Sequence, residues 1–333
     1  MKKKSLAIFL GFTLLLNLII VGCGNQKNQG NNPGSSPQQG TKPKFLVVGT
    51  ASSGGAYYPI GIGLADIITN TLGIQTTAQV TGGAVENNEL IKKKDVDLAI
   101  TMSVLASRAY KGEEPYKGKN EEIRTLFTGL SKGIFHVVVN DKSDIRSIKD
   151  LKGKKVVLGP AGGGGIYVTL DVLSAYGISL SEIQPLYIPY DEGTSALTDG
   201  NVDAVVVQSA APASAITQLT AAKKPVRILS IEDDILKIIF QKYPYYKKID
   251  LPKEIYNTDQ PITTIYDDTT VVINKDLDEQ MVYNITKAIF ENLDKVKQSH
   301  PSAKNLQLEN AAKGVPVPLH PGAEKYYKEK GVL

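Results

Sequence analysis

Short apolar runs alternate with amphipathic stretches along the first two thirds of the chain after residue 44. Phe45–Val48 and Lys155–Leu158 are bounded as buried strands are, and each leads through a glycine-rich turn into a helical pattern. The two helical patterns cover about Ala56–Thr71 and Ile166–Tyr176. Strands that alternate with helices in this way predict parallel α/β sheets.

The same unit occurs twice. Each copy continues to a second strand with a shared D/N-V-D signature, Asp95–Ile100 in the first and Asn201–Val206 in the second. A predicted helix precedes each of these strands, at Asn87–Lys94 and Thr194–Asp199. Because the order of strand, turn, helix, helix and strand is matched, the repeat predicts two lobes that are built alike.

Two further β-branched runs bracket the second copy. Phe135–Asn140 and Thr269–Asn274 both end in Asn and are each followed by a charged turn. We predict that they cross between the lobes and form a hinge, which gives lobe I as 44–134 and 271–333 and lobe II as 135–270. The C-terminal part is predicted to be helical, with apolar positions at helical spacing over Glu279–Lys297.

The N-terminus has the pattern of a targeting segment. Lys2–Lys4 precede the apolar run Leu6–Val21, which stops at Gly22-Cys23 and resembles a bacterial lipobox. We therefore predict a lipoprotein signal peptide over residues 1–22, lipidation of Cys23 and a flexible tether over residues 23–43. The alternative is an uncleaved membrane anchor with a bystander cysteine, for which the apolar run is short.

Composition and charge narrow the functional classes. The chain is 42% hydrophobic and 22% charged, as soluble globular proteins are. Its net charge of +4 falls to +1 without Lys2–Lys4 (4 − 3 = 1), and no basic stripe interleaved with aromatics is present, so nothing favours a nucleic-acid partner. The single cysteine, Cys23, excludes a disulfide within the chain.

The two glycine-rich turns, Gly49–Gly55 and Gly159–Gly165, are the candidate chemistry. A turn from a strand into a helix presents free backbone N–H groups and the positive end of the helix, and glycine lets a ligand approach. Two such turns facing each other across a cleft would hold a carboxylate from both sides. Hydroxyl and amide groups close to the turns or at the strand ends offer specificity: Ser52, Ser53, Tyr57, Asn87, Ser103 and Gln208.

Other interpretations of the turns and of the chain are weaker. Neither turn ends in Gly-Lys-Ser/Thr, neither fits a dinucleotide fingerprint, and a purely structural role for the turns stays open. His136 lies in an apolar strand and is predicted to be a core residue, while His300 and His320 precede prolines and are predicted turn residues. No metal-ligand spacing or nucleophile elbow is present, so we expect no enzyme, no metal and no cofactor.

Six segments carry a resemblance to a known family, in the family's order and over nearly all of residues 44–333. They are Gly49–Gly61, Thr81–Asn87, Asp95–Ser103, Leu151–Gly165, Val282–Glu291 and Leu319–Gly331. The sequence resembles the TAXI-type solute receptors of TRAP transporters. The resemblance implies a two-lobed type II periplasmic-binding-protein fold, an extracytoplasmic location, and a membrane permease with fused subunits as partner.

The resemblance also implies a ligand class and ligand contacts. Members are similar to receptors for glutamate, glutamine or dicarboxylates. Carried over by motif, the contacts fall on Ser53, Gly54, Gly55, Ala56, Tyr57, Asn87, Ser103, Gly162, Gly163, Gly164, Gly165 and Gln208. This chain departs from the pattern at Ala56, Ala84 and Gly162–Gly165, where three hydroxyls are missing, which favours heavier use of backbone N–H groups.

Two rival functions remain from the sequence. An enzyme of the cleft would need a nucleophile or a tuned acid–base pair, and the residues supply neither. A binding lipoprotein of an ABC importer or a sensor kinase would have the same body as a TRAP receptor.

Overall fold

A computed structural model describes residues 45–333. The predicted signal peptide, the lipidation site at Cys23 and the tether lie outside the described residues. Within residues 45–333, none of the helices combines the length and the apolar composition that a membrane crossing requires.

The described chain contains ten strands and ten α-helices, joined by turns and short 3-10 segments. The strands are β1 (Phe45–Gly49), β2 (Gln75–Gln79), β3 (Leu98–Met102), β4 (Ile123–Asn140), β5 (Lys155–Val157), β6 (Gln184–Leu186), β7 (Ala204–Ser209), β8 (Val226–Ile228), β9 (Lys247–Leu251) and β10 (Ile262–Asn274). The helices are α1 (Tyr57–Leu72), α2 (Ala84–Lys93), α3 (Ser103–Lys111), α4 (Gly165–Ala175), α5 (Tyr190–Thr198), α6 (Ser214–Ala221), α7 (Asp233–Lys242), α8 (Glu279–Glu291), α9 (Leu293–Ser299) and α10 (Pro321–Glu329).

The strands form one sheet whose two halves repeat each other. The order is β2-β1-β3-β10-β4-β7-β5-β6. In one half β1 is parallel to β2 and β3, and β3 is antiparallel to β10. In the other half β5 is parallel to β6 and β7, and β7 is antiparallel to β4. The predicted α/β class and the internal repeat are thereby confirmed. Below, lobe I means the elements around β1–β3 and lobe II those around β5–β7.

The D/N-V-D signature has the same structural task in both halves. The Asp97 carboxylate accepts a hydrogen bond from the backbone N–H of Val47 at 2.8 Å, and the Asp203 carboxylate accepts one from the N–H of Lys155 at 2.7 Å. The backbone N–H of each aspartate returns a bond to the carbonyl oxygen of the same strand residue. Each aspartate therefore fixes its strand against the first strand of its own half, which explains why the motif recurs.

The two hinge strands are longer than the sequence indicated. β4 pairs with β10 over its first half and with β7 and β8 over its second half. β10 pairs with β9 at its start and with β3 at its end. The predicted runs are only the buried ends of these strands, because their middle portions carry polar residues such as Lys132 and Asp268 that hid the continuity. The residue limits assigned to the lobes remain a prediction.

Hydrophobic cores lie on both faces of the sheet. One cluster joins α1 to α8 and to Tyr326 and Tyr327 of α10 in lobe I, a second lies in lobe II, and a third joins α4 and β7 of lobe II to Met102 and Leu105 of lobe I. The predicted helix over 279–297 is in fact two helices. Asn292 interrupts them, with its side-chain amide bonded to the carbonyl oxygen of Ala288 at 2.9 Å, as asparagine competes with helical backbone bonds.

The three histidines have the structural roles predicted for them. His136 is fully buried, and its Nδ1–H donates to the carbonyl oxygen of Val207 at 2.9 Å. Its Nε2 then accepts from the Tyr256 hydroxyl at 3.2 Å, and burial lowers the pKa of His136 to about 4. His300 and His320 each begin a helical segment, where Nδ1 accepts a backbone N–H.

Replacing Asp97 by Ala should lower the free energy of unfolding by about 1–3 kcal/mol, because a partly buried strand N–H loses its acceptor, and Asp203→Ala should cost less, about 1 kcal/mol, because its bond to Lys155 is exposed. Urea denaturation followed by circular dichroism measures the change. The matched control is Asp95→Ala, an exposed aspartate of the same motif, which should stay within about 0.5 kcal/mol of wild type. Equal losses in all three variants would contradict the assigned role.

Candidate functional site

Four helices begin around one small cavity between the lobes. The first residues of α1, α2, α4 and α5 all line it: Tyr57, Ala84, Gly165 and Tyr190. Its volume is about 30 Å³, room for about one water molecule. The remaining lining residues are Ala51, Ser52, Gly55, Ala56, Gly82, Gly83, Met102, Gly133, Pro160, Gly163, Gly164, Gln208 and Ser209. The positive ends of helices from both lobes thus converge on one point.

The first glycine-rich turn supplies a buried hydroxyl and free amides. Ser52 is 4% exposed, and its Oγ has no hydrogen-bond partner among the described residues. The Ala56 N–H donates to Ser209 Oγ of lobe II at 3.0 Å. The N–H groups of Tyr57 and Tyr58 have no partner within the described chain, as is usual for the first turn of a helix.

The second turn also has backbone N–H groups without a partner. Gly162 has φ +83°, a conformation that favours glycine, and the Gly163 N–H closes the turn on the carbonyl oxygen of Pro160 at 2.9 Å. The N–H groups of Gly164, Gly165 and Ile166 at the start of α4 have no partner among residues 45–333. Both turns therefore offer unpaired donors to the cavity between them.

The two lobes are in contact around the cavity. The carbonyl oxygen of Gly162 in lobe II accepts the N–H groups of Val85 and Glu86 of α2, at 3.0 and 3.1 Å. The carbonyl oxygen of Gly54 accepts the N–H of Ala215, at 3.1 Å. At the rim Ser53 donates to the Asp191 carboxylate at 3.2 Å. The structure is thus a closed form in which the turns themselves bind across the cleft.

This closure requires glycine at several positions. A Cβ atom on Gly82 would lie 2.1 Å from the carbonyl oxygen of Ala161, and one on Gly164 would lie 2.3 Å from Met102 Sδ. In each case the obstacle belongs to the opposite lobe. The sequence interpretation gave ligand approach as the reason for glycine, whereas these distances show that the approach of the lobes imposes it as well.

A cluster outside the cavity joins the lobes a second time. Arg108 of α3 donates to the Tyr245 hydroxyl of lobe II, with its guanidinium 5.3 Å from the centre of that ring. The hydroxyls of Tyr245 and Tyr246 both donate to Asp171 of α4, at 3.0 and 2.9 Å. Arg108 lies 3.8 Å from the same carboxylate, so the cluster places opposite charges across the cleft.

The structure brings most of the predicted site residues together. Eight line the cavity: Ser52, Gly55, Ala56, Tyr57, Gly163, Gly164, Gly165 and Gln208. Ser53, Gly54 and Gly162 lie beside it in contacts between the lobes. Whether a ligand binds to any of them remains a prediction.

Two predicted site residues, Asn87 and Ser103, use their side-chain polar atoms in hydrogen bonds within the protein. The Asn87 side chain is fully buried; its amide donates to the carbonyl oxygens of Thr50 and Ile100, and its oxygen accepts from Thr81. It therefore ties β1 to β3. Ser103 Oγ lies 2.6 Å from Thr270 Oγ1, which fixes the start of α3 on β10.

Gln208, the penultimate residue of β7, has half of its side-chain amide unsatisfied. Its Nε2 donates to the carbonyl oxygen of Gly133 at 2.9 Å, while the buried Oε1 has no partner among residues 45–333. Its own carbonyl oxygen accepts from the Tyr190 hydroxyl at 3.1 Å, and burial raises the pKa of Tyr190 to about 12. Tyr190 was missed from the sequence, although the repeat contained the signal, because α5 is the counterpart of α2.

Asp267 is the second residue that sequence reasoning missed. It lies in the crossing portion of β10, is 3% exposed, and accepts the N–H of Val104 at 3.3 Å. No Lys, Arg or His of the described chain lies within salt-bridge distance of it. Burial raises the pKa of Asp267 to about 8. In the sequence Asp267 is a polar residue within a strand pattern, and that pattern does not indicate that its side chain is buried.

The arrangement of the lobes identifies the fold class as that of the periplasmic binding proteins. Solved structures share it. A protein from Bordetella bronchiseptica RB50 has 15% identity over 86% of this chain and 82% of its own, with a TM-score of 0.51. An ancestral arginine-binding protein bound to arginine has 17% identity over 80% of this chain and 100% of its own, with a TM-score of 0.50.

The sequence profile of the NMT1-like family matches residues 48–331, and the chain belongs to this family. The predicted fold class is confirmed by these similarities. At such low identities they concern the fold alone.

Asp267→Asn should stabilise the protein at high pH. A carboxyl whose folded pKa is raised contributes stability that is complete below its unfolded pKa, near 4, and is lost as the pH rises through about 8. The variant should therefore melt near the wild-type temperature at pH 5 and above it at pH 8.5, by differential scanning calorimetry. His136 is present in both proteins and cancels in the comparison. A lower melting temperature for the variant at pH 8.5 would contradict the burial of the charge.

Proposed function

We propose that the protein is an extracytoplasmic solute receptor that captures a small carboxylate-bearing metabolite between its lobes and delivers it to a membrane transporter. The observation that carries the proposal is the convergence of four helix N-termini, two from each lobe, on one cavity with unpaired backbone N–H groups. Helix N-termini with free amides are anion sites in proteins. The solute carboxylate would lie on the N–H groups at the starts of α1 and α4.

The unpaired side-chain atoms support a ligand in the cavity. Buried polar atoms are almost always hydrogen-bonded, because an unmade bond costs about 1–3 kcal/mol. Ser52 Oγ and Gln208 Oε1 both lack a partner among the described residues and both residues line the cavity. A bound solute would satisfy the two atoms together.

The cavity volume implies that binding involves a change of shape. About 30 Å³ is too little for a metabolite, so the lobes have to separate before a solute enters. The hinge would be β4 and β10, which pair with each other, and the bonds from Val85 and Glu86 to Gly162 would break on opening. A solute that bridges the lobes shifts this equilibrium toward a closed form that the transporter recognises.

The finer assignment rests on the resemblance described above. We propose that the partner is a TRAP permease of the TAXI type and that the solute is glutamate, glutamine or a dicarboxylate. We also propose a lipid anchor at Cys23 on the outer face of the cell membrane.

The second candidate is the binding lipoprotein of an ABC importer or a sensor kinase, favoured by the fold shared with an arginine-binding protein. No enzymatic role is proposed, since the cavity offers no nucleophile paired with a base.

A screen of small acids should identify the solute class. At 100 times its dissociation constant a ligand adds about 2.7 kcal/mol of stability, a rise of several degrees in melting temperature. The screen covers amino acids, dicarboxylates and sulfonates at millimolar concentration, followed by calorimetric titration of the hits. Absence of any shift would contradict the proposal.

Gly82→Ala should weaken solute binding by more than tenfold while leaving the melting temperature of the unliganded protein within a few degrees of wild type. The added Cβ would collide with the Ala161 carbonyl oxygen of the opposite lobe when the lobes are closed, whereas its other close neighbour, Glu86 Oε2, is the end of a side chain that can move aside. Gly164→Val and Gly54→Val should act likewise. Titration calorimetry measures affinity, and small-angle X-ray scattering with saturating solute measures closure.

The control for these substitutions is Gly118→Val, since that glycine has nothing within 4 Å of the added atom. It should bind as wild type does. If Gly82→Ala also binds as tightly as wild type, the contact between the turns has no part in binding.

A further inference from the structure

The floor of the cavity is built for a hydrogen-bond donor. Gly133 lines the cavity, and a Cβ atom on it would lie 3.3 Å from Gln208 Nε2 and 3.5 Å from the carbonyl oxygen of Asp267. Gly133 and Asp267 are direct partners in the antiparallel pair of β4 and β10. In such pairs the side-chain positions are about 5 Å apart. Asp267 therefore lies next to the cavity, as the cross-strand neighbour of a residue that lines it.

Acceptors outnumber donors at this floor. Gln208 Oε1 is a buried acceptor without a partner in the described chain, and its amide cannot be reversed because Nε2 is bonded to the Gly133 carbonyl oxygen. Asp267 adds a buried carboxyl group that accepts the backbone N–H of Val104 at 3.3 Å. The hydroxyl of Tyr57, a residue that also lines the cavity, lies 3.5 Å from Thr269 Oγ1.

The charges around the cavity have one sign. No lysine or arginine occurs among the described residues that line it. Glu86 accepts the N–H of Gly82 at 2.6 Å, and Asp191 meets Ser53 at the rim. A solute with two negative charges would have the carboxylates of Glu86 and Asp191 as neighbours, with only backbone amides to oppose them.

We propose that Gln208 Oε1 and Asp267 form a subsite for a protonated amine of the solute, so that the solute is a zwitterion with its carboxylate on the helix N-termini. This deepens and rests on the proposed receptor function. Gln208 would accept one N–H of the ammonium group directly. Asp267 would supply the compensating charge beneath it. Opposite ends of the cavity would then bind opposite charges.

Matched pairs of acids that differ only in the amine test the subsite. The pairs are L-glutamate with 2-oxoglutarate and L-alanine with pyruvate, measured by calorimetric titration on the wild-type protein. We expect the amino member of the binding pair to bind at least 30-fold more tightly, since its partner leaves buried acceptors unpaired. Equal or tighter binding of the acid without the amine would overturn the subsite and leave the receptor function standing.

Variants assign the preference to the two residues. Asp267→Asn, which keeps the shape and removes the charge, and Gln208→Met, which removes the acceptor, should each weaken binding of the amino acid at least tenfold and change binding of its amine-free partner less than threefold. The control is Asp268→Asn. The carboxylate of the adjacent Asp268 accepts a hydrogen bond from Lys247 Nζ at 2.5 Å, and Asp268 does not line the cavity. It should bind as wild type does.

Two outcomes separate the proposals. If Asp267→Asn and Asp268→Asn change the affinities alike, or if the amine preference survives both cavity variants, the subsite is wrong. If none of the four acids, nor any compound in the wider screen, binds to the wild-type protein, the receptor function fails together with the subsite.

Discussion

The structure depends on hydrogen bonds between backbone groups of the two lobes across the cleft. The start of α2 donates two N–H groups to the carbonyl oxygen of Gly162, and no side chain takes part. Such a contact needs the backbone segments of the two lobes to approach more closely than a Cβ atom would permit at Gly82 and Gly164. The glycine content of the turns, the small cavity and the position of the helix ends all follow from that approach.

The same contact satisfies part of the polar surface that the closed cleft buries. Amides that face a cleft have to find acceptors when the cleft shuts. Gly162 supplies one for α2, and Ser209 supplies one for Ala56. Among residues 45–333 the amides at the start of α4 have none, and neither does Gln208 Oε1. Closure therefore satisfies part of the polar surface and leaves a defined remainder, which the proposed solute would bind.

The sequence predicted the repeat because the repeat is local. Strand, glycine turn and helix are each encoded within about 25 residues, and the recurrence of the D/N-V-D signature reflects one hydrogen bond made twice, by Asp97 and Asp203. The hinge was only partly predicted. β4 is apolar at its end but polar where it crosses between the lobes, and periodicity does not recognise a strand through such a segment.

The site was predicted where glycine marked it and missed where tertiary structure creates it. Asn87 belongs to a turn that looks suited to a ligand, yet its amide is fully used in tying strand ends. Asp267 and Tyr190 become notable only through burial, which depends on partners far away in the chain. Burial of an acid at a strand crossing has no local signature, so only the assembled sheet reveals it.

The order of the strands also has a consequence for folding. In lobe I, β10 lies between β3 and β4, although it is the last strand of the chain. The lobe I half thus lacks its fourth, antiparallel strand until residue 274 is available, whereas the fourth strand of the lobe II half, β4, precedes β5, β6 and β7. Lobe II can therefore form its central strands first. Lobe I can complete its sheet only when β10, which follows all strands of lobe II in the chain, pairs with β3. Contacts of such long sequence separation slow folding, so the chain retains an open, unpaired edge until its final quarter takes its place.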